Sequence, residues 1–267
     1  MLLTLLQLIT FFQLTDTHVS DAATYPLANE KLEYMMEVIN EAQPTFSVIT
    51  GDAIHNEGNT FKQDVEKLKS IDSKLTVPGF YVIGNHEIQS SGELYEETFG
   101  SRNYSFFLGG MKFIVFDNMK PDYGWLLNEL DGPSILFTHI PFGLVREESV
   151  IQKSFGFPSY RIFKDFDHPN ILAIVSGHLH LSGMLGKQIV TSGLGSYPCD
   201  YRIFKIYHDS VTVETKQLPE RFLNVSESLH GIPRWMIDYT DSNHTTHQAY
   251  IMGNEDERNF TIHRKLK

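Results

Sequence analysis

The stretch TFFQLTDTH, residues 10–18, runs from apolar residues straight into an aspartate and a histidine that lie two positions apart. Its first five residues have the length and apolar character of a buried β-strand. Side chains two apart in extended backbone point the same way, because successive side chains alternate between the two faces of a strand. The stretch therefore predicts that Asp16 and His18 face one ligand at the end of the first strand.

The same arrangement returns four times along the chain, each time with polar residues directly after a strand-like apolar run. The runs are FSVITGD (46–52), FYVIGNHE (80–87), ILFTH (135–139) and ILAIVSGHLH (171–180). Ligand sites of α/β proteins gather at the carboxyl ends of strands, so we expect these ends to meet. His178 and His180 are again two apart and are expected to face one ligand, whereas the adjacent Asn85 and His86 diverge.

Helical patterns separate the first of these runs. Apolar residues at helical spacing over residues 32–42 predict a helix that Pro44 ends. Thr60, followed three positions later by Gln63, predicts a capping box at the start of a second helix. Strands that alternate with helices are typical of α/β proteins, and this is the fold class that we predict.

Two hairpins are predicted in addition. Gly109 and Gly110 supply the positive φ angles of a tight turn between two apolar runs. Residues 208–210 separate two further alternating runs, 201–207 and 211–216, which we interpret as a late hairpin.

Composition and charge limit the class of protein. The 267 residues carry a net charge of −11, with 41% hydrophobic and 21% charged residues, which excludes a disordered or fibrous chain. An acidic balance disfavours extended nucleic acid as a partner, because such binding depends on basic surfaces that neutralise phosphates. The single cysteine, Cys199, forms no internal disulfide and excludes cysteine-rich metal sites. We expect one domain and leave the oligomeric state open.

The N-terminus bears on location. Residues 1–14 are apolar but too short to span a bilayer, which takes about 20 apolar residues, so no transmembrane segment is expected. They lack the basic n-region of a signal peptide, and cleavage inside them would remove the strand before Asp16. We therefore expect a cytoplasmic protein. Secretion is the alternative, because the N-terminus is apolar and four N-x-S/T sequons occur, at Asn103, Asn224, Asn243 and Asn259.

In order and spacing, the motifs D-x-H, G-D, G-N-H-E, H and G-H-x-H resemble the pattern of the calcineurin-like metallophosphoesterases over residues 10–215. The resemblance implies a four-layer α/β/β/α sandwich. We expect residues 1–218 to form this metallophosphoesterase domain. Residues 219–267 are polar and rich in turn residues, so we interpret them as a C-terminal extension packed on the same domain.

The resemblance also implies a ligand set for two metal ions. Asp16, His18 and His180 would hold one ion, Asn85, His139 and His178 would hold the other, and Asp52 would bridge the two. These oxygen and imidazole donors suit manganese, iron or zinc, as two divalent ions or a mixed-valence pair, and give no basis for choosing among them.

The reaction that the resemblance implies is hydrolysis of a phosphoester by a hydroxide that two metal ions activate. His86 would protonate the leaving group or stabilise its charge, and Glu87 would orient His86 or a histidine ligand. The expected substrate is a small-molecule phosphoester. The GNHE motif resembles that of bacterial and archaeal phosphodiesterase relatives, and this resemblance favours a phosphodiesterase over a phosphomonoesterase or nucleotidase. A binding scaffold without catalysis is the alternative of another class, and the complete ligand set argues against it.

Four further side chains allow two interpretations each. His55, in GDAIH, either reaches the mouth of the site or is an ordinary loop residue. Tyr197 either lines the pocket or packs in the core. His244 and His247 have the spacing of a metal pair, but we favour a solvated tail loop because no further donors complete a site there.

Overall fold

The apolar runs that precede the motifs form strands, and the stretches of helical spacing form helices. The computed structural model describes residues 9–88, 93–142, 145, 168–228 and 242–263. Their strands are β1 (Ile9–Leu14), β2 (Phe46–Thr50), β3 (Gly79–Val82), β4 (Tyr104–Leu108), β5 (Met111–Val115), β6 (Ser134–Phe137), β7 (Ile171–Ser176), β8 (Gly183–Leu185), β9 (Gln188–Val190), β10 (Asp200–Ile206), β11 (Ser210–Gln217) and β12 (Asn259–His263). Their helices are α1 (Ala28–Ala42), α2 (Phe61–Asp72), α3 (Glu93–Phe99), α4 (Tyr123–Glu129), α5 (Glu220–Ser228), α6 (His247–Met252) and α7 (Glu255–Arg258). None of these helices has the length and apolarity that crossing a membrane requires.

The first sheet has the strand order β12-β11-β10-β1-β2-β3. β1, β2 and β3 run parallel, with α1 and α2 as the crossover helices between them. β10 and β11 form the predicted late hairpin, and β10 pairs antiparallel with the other side of β1. The carboxyl ends of β1 and β2 therefore lie side by side.

The second sheet has the strand order β4-β5-β6-β7-β9-β8. β4 and β5 form the predicted hairpin, in which Gly109 and Gly110 have φ angles of 55° and 81°. β5, β6, β7 and β9 run parallel, so the carboxyl ends of β6 and β7 are also neighbours. β8, which pairs with β9, is a three-residue strand that the sequence analysis did not predict.

The two sheets pack face to face with helices outside them. The central apolar cluster takes side chains from both sheets, whereas a second cluster joins the first sheet to α1 and α2 and a third joins the second sheet to α4. The layers thus follow the order helix, sheet, sheet, helix. This confirms the predicted α/β/β/α sandwich.

Phe11 lies at the centre of the contact between the sheets and is fully buried. Its ring stacks between those of Phe46 and Phe204 on the neighbouring strands, with ring centroids 4.9 and 4.5 Å away. Its edge meets Phe113 and Phe137 of the second sheet at 5.9 and 5.5 Å. Aromatic pairs of this kind add to the free energy of burial, so this cluster fixes how the two sheets face each other.

The segment after residue 218 contributes to the first sheet. β12 pairs antiparallel with β11 as its edge strand, which the sequence analysis did not predict. Nearby, the Arg258 guanidinium binds both carboxylate oxygens of Asp200 at 2.9 and 3.0 Å and links α7 to β10. The division of the chain at residue 218 stays a prediction.

The capping box predicted for the second helix is wrong, although α2 begins at the expected place. The Thr60 side chain makes no cap hydrogen bond to the helix backbone. Its hydroxyl instead donates to Asp64 Oδ2 at 2.7 Å. The Thr60 hydroxyl therefore acts as a donor to a carboxylate one turn into the helix, and not as the acceptor that a capping box requires.

Replacing Phe11 with alanine is expected to reduce the free energy of unfolding by about 3–5 kcal/mol, because the change leaves a cavity between the sheets. Denaturant titration with matched slopes measures the difference. Phe107→Ala is the control, since Phe107 on β4 is 69% exposed and its loss should change the free energy by less than about 0.5 kcal/mol. Equal effects of the two substitutions would contradict the central role of Phe11.

Candidate metal centre

The loops that follow β1, β2, β3, β6 and β7 meet beyond the carboxyl ends of the two sheets. Backbone hydrogen bonds hold them in register: His18 N–H donates to Asp52 O, and Gly177 N–H donates to His139 O, both at 3.0 Å. Strand pairing thus continues past the strands themselves. The motif residues are placed by this extension and not by the sheets alone.

Asp16, His18 and His180 form the first group of donors. His180 Nε2 lies 3.3 Å from both Asp16 Oδ1 and His18 Nε2, and all three side chains are buried. Asp16 Oδ2 accepts hydrogen bonds from the Thr15 hydroxyl and from His178 N–H, at 2.6 and 3.0 Å. Asp16 Oδ1 accepts none from the residues that the structure describes. A buried carboxylate oxygen without a donor, next to two imidazole nitrogens, fits a metal ion.

Asp52, Asn85, His139 and His178 form the second group. His139 Nε2 lies 3.0 Å from Asn85 Oδ1 and 3.3 Å from Asp52 Oδ2. The rings of His139 and His178 have centroids 5.0 Å apart, and a ligand atom of His178 lies within 4.8 Å of those of Asp52 and His139. The structure therefore brings all seven predicted ligands together, in two neighbouring groups.

The backbone at these residues differs from the expectation. Five of the seven have positive φ angles, between 48° and 67°: Asp16, His18, Asp52, His178 and His180. Left-handed backbone costs a residue other than glycine about 1 kcal/mol or more, and such strain is concentrated at functional sites. The backbone at these five residues is therefore not extended, and the prediction that it is extended is wrong. Asp16 and His18 do share a group, but His178 and His180 fall into different groups.

The charges of the two groups depend on one another. Burial lowers the pKa of His139, but the neighbouring Asp52 carboxylate outweighs this effect and raises that pKa to about 10. Burial raises the pKa of Asp52, but His139 outweighs it and holds the pKa well below its ordinary value. Burial lowers the pKa of His178 to about 4, with the charge of His139 acting in the same direction. The buried carboxylates thus require positive charge beside them, which protonated imidazoles or bound metal ions would supply.

Two residues that the sequence analysis did not name orient the histidine rings. His139 Nδ1–H donates to Thr50 O at 2.9 Å, and His180 Nδ1 lies 2.9 Å from the Ser196 hydroxyl. Such partners fix the tautomer and the direction of a ligand ring. Thr50 is the last residue of β2 and Ser196 lies in the loop after β9. The hydroxyl residue Ser196 in a loop after a strand was a usable signal, whereas Thr50 acts through its backbone carbonyl, which any residue would supply.

Aromatic rings enclose His18. The ring of Tyr25 stacks on it with centroids 3.9 Å apart, and the rings of His55 and His86 meet it edge-on at 5.4 and 4.8 Å. Nothing in the sequence pointed to Tyr25. His55 lies at the mouth of the site, where its ring stacks against that of His86 at 5.1 Å and its Nε2 lies 3.2 Å from Glu57 Oε2.

His86 has other neighbours than Asn85: its ring lies against those of His18 and His55, whereas Asn85 Oδ1 lies 3.0 Å from His139 Nε2. The His86 N–H donates to Asp52 Oδ1 at 2.9 Å, and its Nε2 lies 3.8 Å from Asp52 Oδ2. The His86 side chain is 23% exposed, whereas that of Asp52 is 3% exposed. His86 therefore stands between the buried donors and the solvent, where a substrate would enter.

Glu87 lies beneath the site and is buried. Its carboxylate accepts hydrogen bonds from the N–H groups of Gly84, Asp52 and Ile54, at 2.6, 3.0 and 3.1 Å. Burial raises its pKa to about 8, and the charge of Asp52 adds to this effect. These bonds connect Glu87 to the backbone of the Asp52 loop and of Gly84. The sequence predicted instead that Glu87 orients a histidine ring.

Tyr197 and His244 are both buried side chains outside the two donor groups. Tyr197 is buried in an apolar cluster with Leu179 and Tyr250, which favours the packing interpretation. The solvated tail loop is wrong for His244, which is 3% exposed and lies with its Nε2 2.7 Å from Glu257 Oε2. The side chain of His247 lies outside the described residues.

The chain belongs to the calcineurin-like phosphoesterase family, whose model matches residues 9–182. That stretch contains all seven predicted ligands together with His86 and Glu87, and the match confirms the resemblance. Human serine/threonine-protein phosphatase CPPED1 is 25% identical over 248 aligned residues, which cover 77% of each chain. The protein is therefore a hydrolase of phosphoester bonds.

Two solved structures show the same fold. A dimetal phosphatase from Danio rerio superposes with a TM-score of 0.59 and 12% identity, covering 78% of this chain and 96% of the other. Purple acid phosphatase PPD1 from yellow lupin superposes with a TM-score of 0.58 and 11% identity, covering 79% of this chain and 51% of the other. At these identities the likeness concerns the fold and not the substrate.

Gly84→Ala is expected to disrupt the second group, because a Cβ at Gly84 would lie 2.2 Å from both the backbone N and Oδ1 of Asp52. Displacing Asp52 by about 1 Å should lower phosphoester hydrolysis by roughly 10²-fold, with loss of bound metal. Elemental analysis and initial rates measure the two effects. Gly132→Ala is the matched control, since its Cβ would meet nothing within 4 Å. Normal metal content and rate in Gly84→Ala would show that the loop tolerates the shift.

Proposed function

We propose that the protein hydrolyses phosphoesters with two metal ions held by the two donor groups. The observation that carries this proposal is the convergence of the seven donors from five separate loops. Five of them are buried and Asn85 and His178 are half-buried, and one oxygen of Asp16 lacks a hydrogen-bond donor among the described residues. The donors are oxygen and imidazole, so manganese, iron and zinc all fit. When bound, such ions lower the pKa of coordinated water and polarise phosphoryl oxygens.

Asp52 would hold both ions. Its Oδ2 lies 3.3 Å from His139 Nε2 in the second group. Its charge also reaches His18 in the first group, where it opposes the burial that holds the pKa of His18 well below its ordinary value. Its Oδ1 accepts from His86 N–H, and its own N–H donates to Glu87. The carboxylate is therefore fixed from several sides, which suits a bridging ligand.

His86 would donate to the oxygen of the leaving group. Its Nδ1 lies 2.5 Å from His55 O, and since a carbonyl only accepts, this nitrogen carries a proton. Nε2 is then the nitrogen that faces the reacting groups. A proton held there and passed to the leaving oxygen makes a poor leaving group acceptable.

For the substrate class we propose a phosphomonoester. The human relative, which aligns with 77% of this chain, is a serine/threonine-protein phosphatase, an enzyme that acts on monoesters. A phosphodiester is the second candidate, because the GNHE motif favours one. A non-catalytic scaffold would keep the fold without needing the ligands, whereas here the complete set is brought together.

The substrate panel that tests this choice compares p-nitrophenyl phosphate, bis(p-nitrophenyl) phosphate, phosphoserine and phosphothreonine peptides, and cyclic nucleotides. Each is assayed with manganese, zinc and iron. The proposal expects the monoesters to be cleaved fastest. Preferential cleavage of the diesters would select the second candidate, and inertness of a metal-loaded protein towards every ester would favour the scaffold.

Metal analysis of the reconstituted protein is expected to give two ions per chain. Asp52→Asn should reduce this content and abolish measurable hydrolysis, because it removes the charge that the two ions share. Asp209→Asn, in the exposed turn between β10 and β11, is the control. One ion per chain in the wild type, or near-normal turnover of Asp52→Asn, would rule out the bridging role.

His86→Ala is expected to retain both ions but to slow turnover by roughly 10²- to 10⁴-fold, the usual contribution of a general acid. Initial rates at saturating substrate, together with metal content, separate the two effects. His208→Ala, at an exposed position, should behave as the wild type. An unchanged rate for His86→Ala would remove His86 from the reaction.

A further inference from the structure

The turn formed by residues 55–58 covers one side of His86. Together with Thr24 and His86 it lines a cavity of about 250 Å³ at the mouth of the site. If His86 faces the leaving group, this cavity is where the leaving group lies. The turn is thus placed to control how His86 meets that group.

The turn holds His86 at two points. The Asn56 side-chain amide donates to the backbone carbonyl of His86 at 2.8 Å. The carbonyl of His55 accepts from the His86 ring at Nδ1. The position of His86, ring and backbone, therefore depends on the conformation of residues 55 and 56.

The backbone conformation of Asn56 is strained, and a side chain of α2 stabilises it. Asn56 has a φ angle of 51°, in the left-handed region, and is almost fully buried. Its N–H donates to Asp64 Oδ2 at 3.0 Å, and the same oxygen accepts from the Thr60 hydroxyl at 2.7 Å. Asp64 is 2% exposed, in the first turn of α2. A buried carboxylate retained there needs such donors, and these two supply them.

We propose that Asp64 and Asn56 are positioning residues for His86. Asp64, on α2, holds the left-handed conformation of Asn56 by accepting from its N–H. Asn56 in turn holds the backbone carbonyl of His86, and the adjacent His55 carbonyl holds the His86 ring. The proposal rests on the proposed function, in which His86 serves the leaving group. Misplacing a reacting group by about 1 Å lowers the rate on the order of 10²-fold. A small movement of the turn should therefore produce a measurable fall in rate.

Esters with different leaving groups separate this role from a general structural one. Phenyl phosphate needs a proton on its leaving oxygen, whereas p-nitrophenyl phosphate, whose phenol is a much stronger acid, hardly needs one. Loss of position at His86 should therefore slow the first ester far more than the second. A general loss of folding or of metal would slow both alike.

The experiment measures kcat for both esters on the metal-loaded full-length chain. Asn56→Gly removes the amide donor while glycine accepts the positive φ angle without strain. Asp64→Asn weakens the contact between Asp64 and the N–H of Asn56. Thr60→Val removes only the hydroxyl that donates to Asp64, and it tests the same role of Asp64 if Asp64→Asn does not fold. Gln63→Ala, at an exposed position of α2, is the control.

The expected result for Asn56→Gly is a fall of kcat by at least about tenfold for phenyl phosphate and by less than about threefold for p-nitrophenyl phosphate, with unchanged metal content. Thr60→Val should shift the ratio in the same direction, and Gln63→Ala should not shift it. An unchanged ratio in Asn56→Gly would overturn this proposal alone. Failure of the wild type to hydrolyse either ester would overturn the proposed function and this proposal with it.

Discussion

Two buried carboxylates, those of Asp16 and Asp52, determine which groups must surround them in the rest of the site. Taking an unpaired charge out of water costs several kcal/mol, so each must find positive charge or donors within reach. Imidazoles from distant parts of the chain surround them, and the pKa of His139 rises to about 10 beside Asp52. The arrangement of five loops at the strand ends follows from this electrostatic requirement.

Placing so many polar groups within a few ångströms strains the backbone. Left-handed conformations at Asp16, His18 and Asp52 turn the chain sharply after β1 and β2. Glycines let neighbouring loops approach closely: a Cβ at Gly177 would lie 1.9 Å from Thr15 Oγ1. Hydrogen bonds from three backbone N–H groups to Glu87 hold one of these loops in place. The sheets supply the rigidity that keeps this strain from relaxing.

The strands, the layers and the meeting of the donor side chains were predictable because their signals are local. An apolar run of strand length followed by D-x-H or G-H-x-H identifies both the element and its functional end. The left-handed angles were not predictable, because contacts between loops distant in sequence impose them. β12 was missed since its side chains alternate only between exposed and half-buried, and the burial of His244 depends on Glu257, thirteen residues later. The role of the Thr60 hydroxyl was predicted wrongly because it donates to Asp64, a contact that the spacing of Thr60 and Gln63 does not reveal.

The sheet order has a consequence for how the chain matures. β1 lies between β2 and β10, with Ile9 opposite Ile206, so one of its two partners is synthesised long after the other. The residues of both donor groups, up to His180, leave the ribosome before β10 does. A nascent chain therefore carries the complete ligand set while the strand leading to Asp16 still has an open edge. Pairings of such long sequence separation form slowly, and an open apolar edge is prone to wrong partners in the meantime.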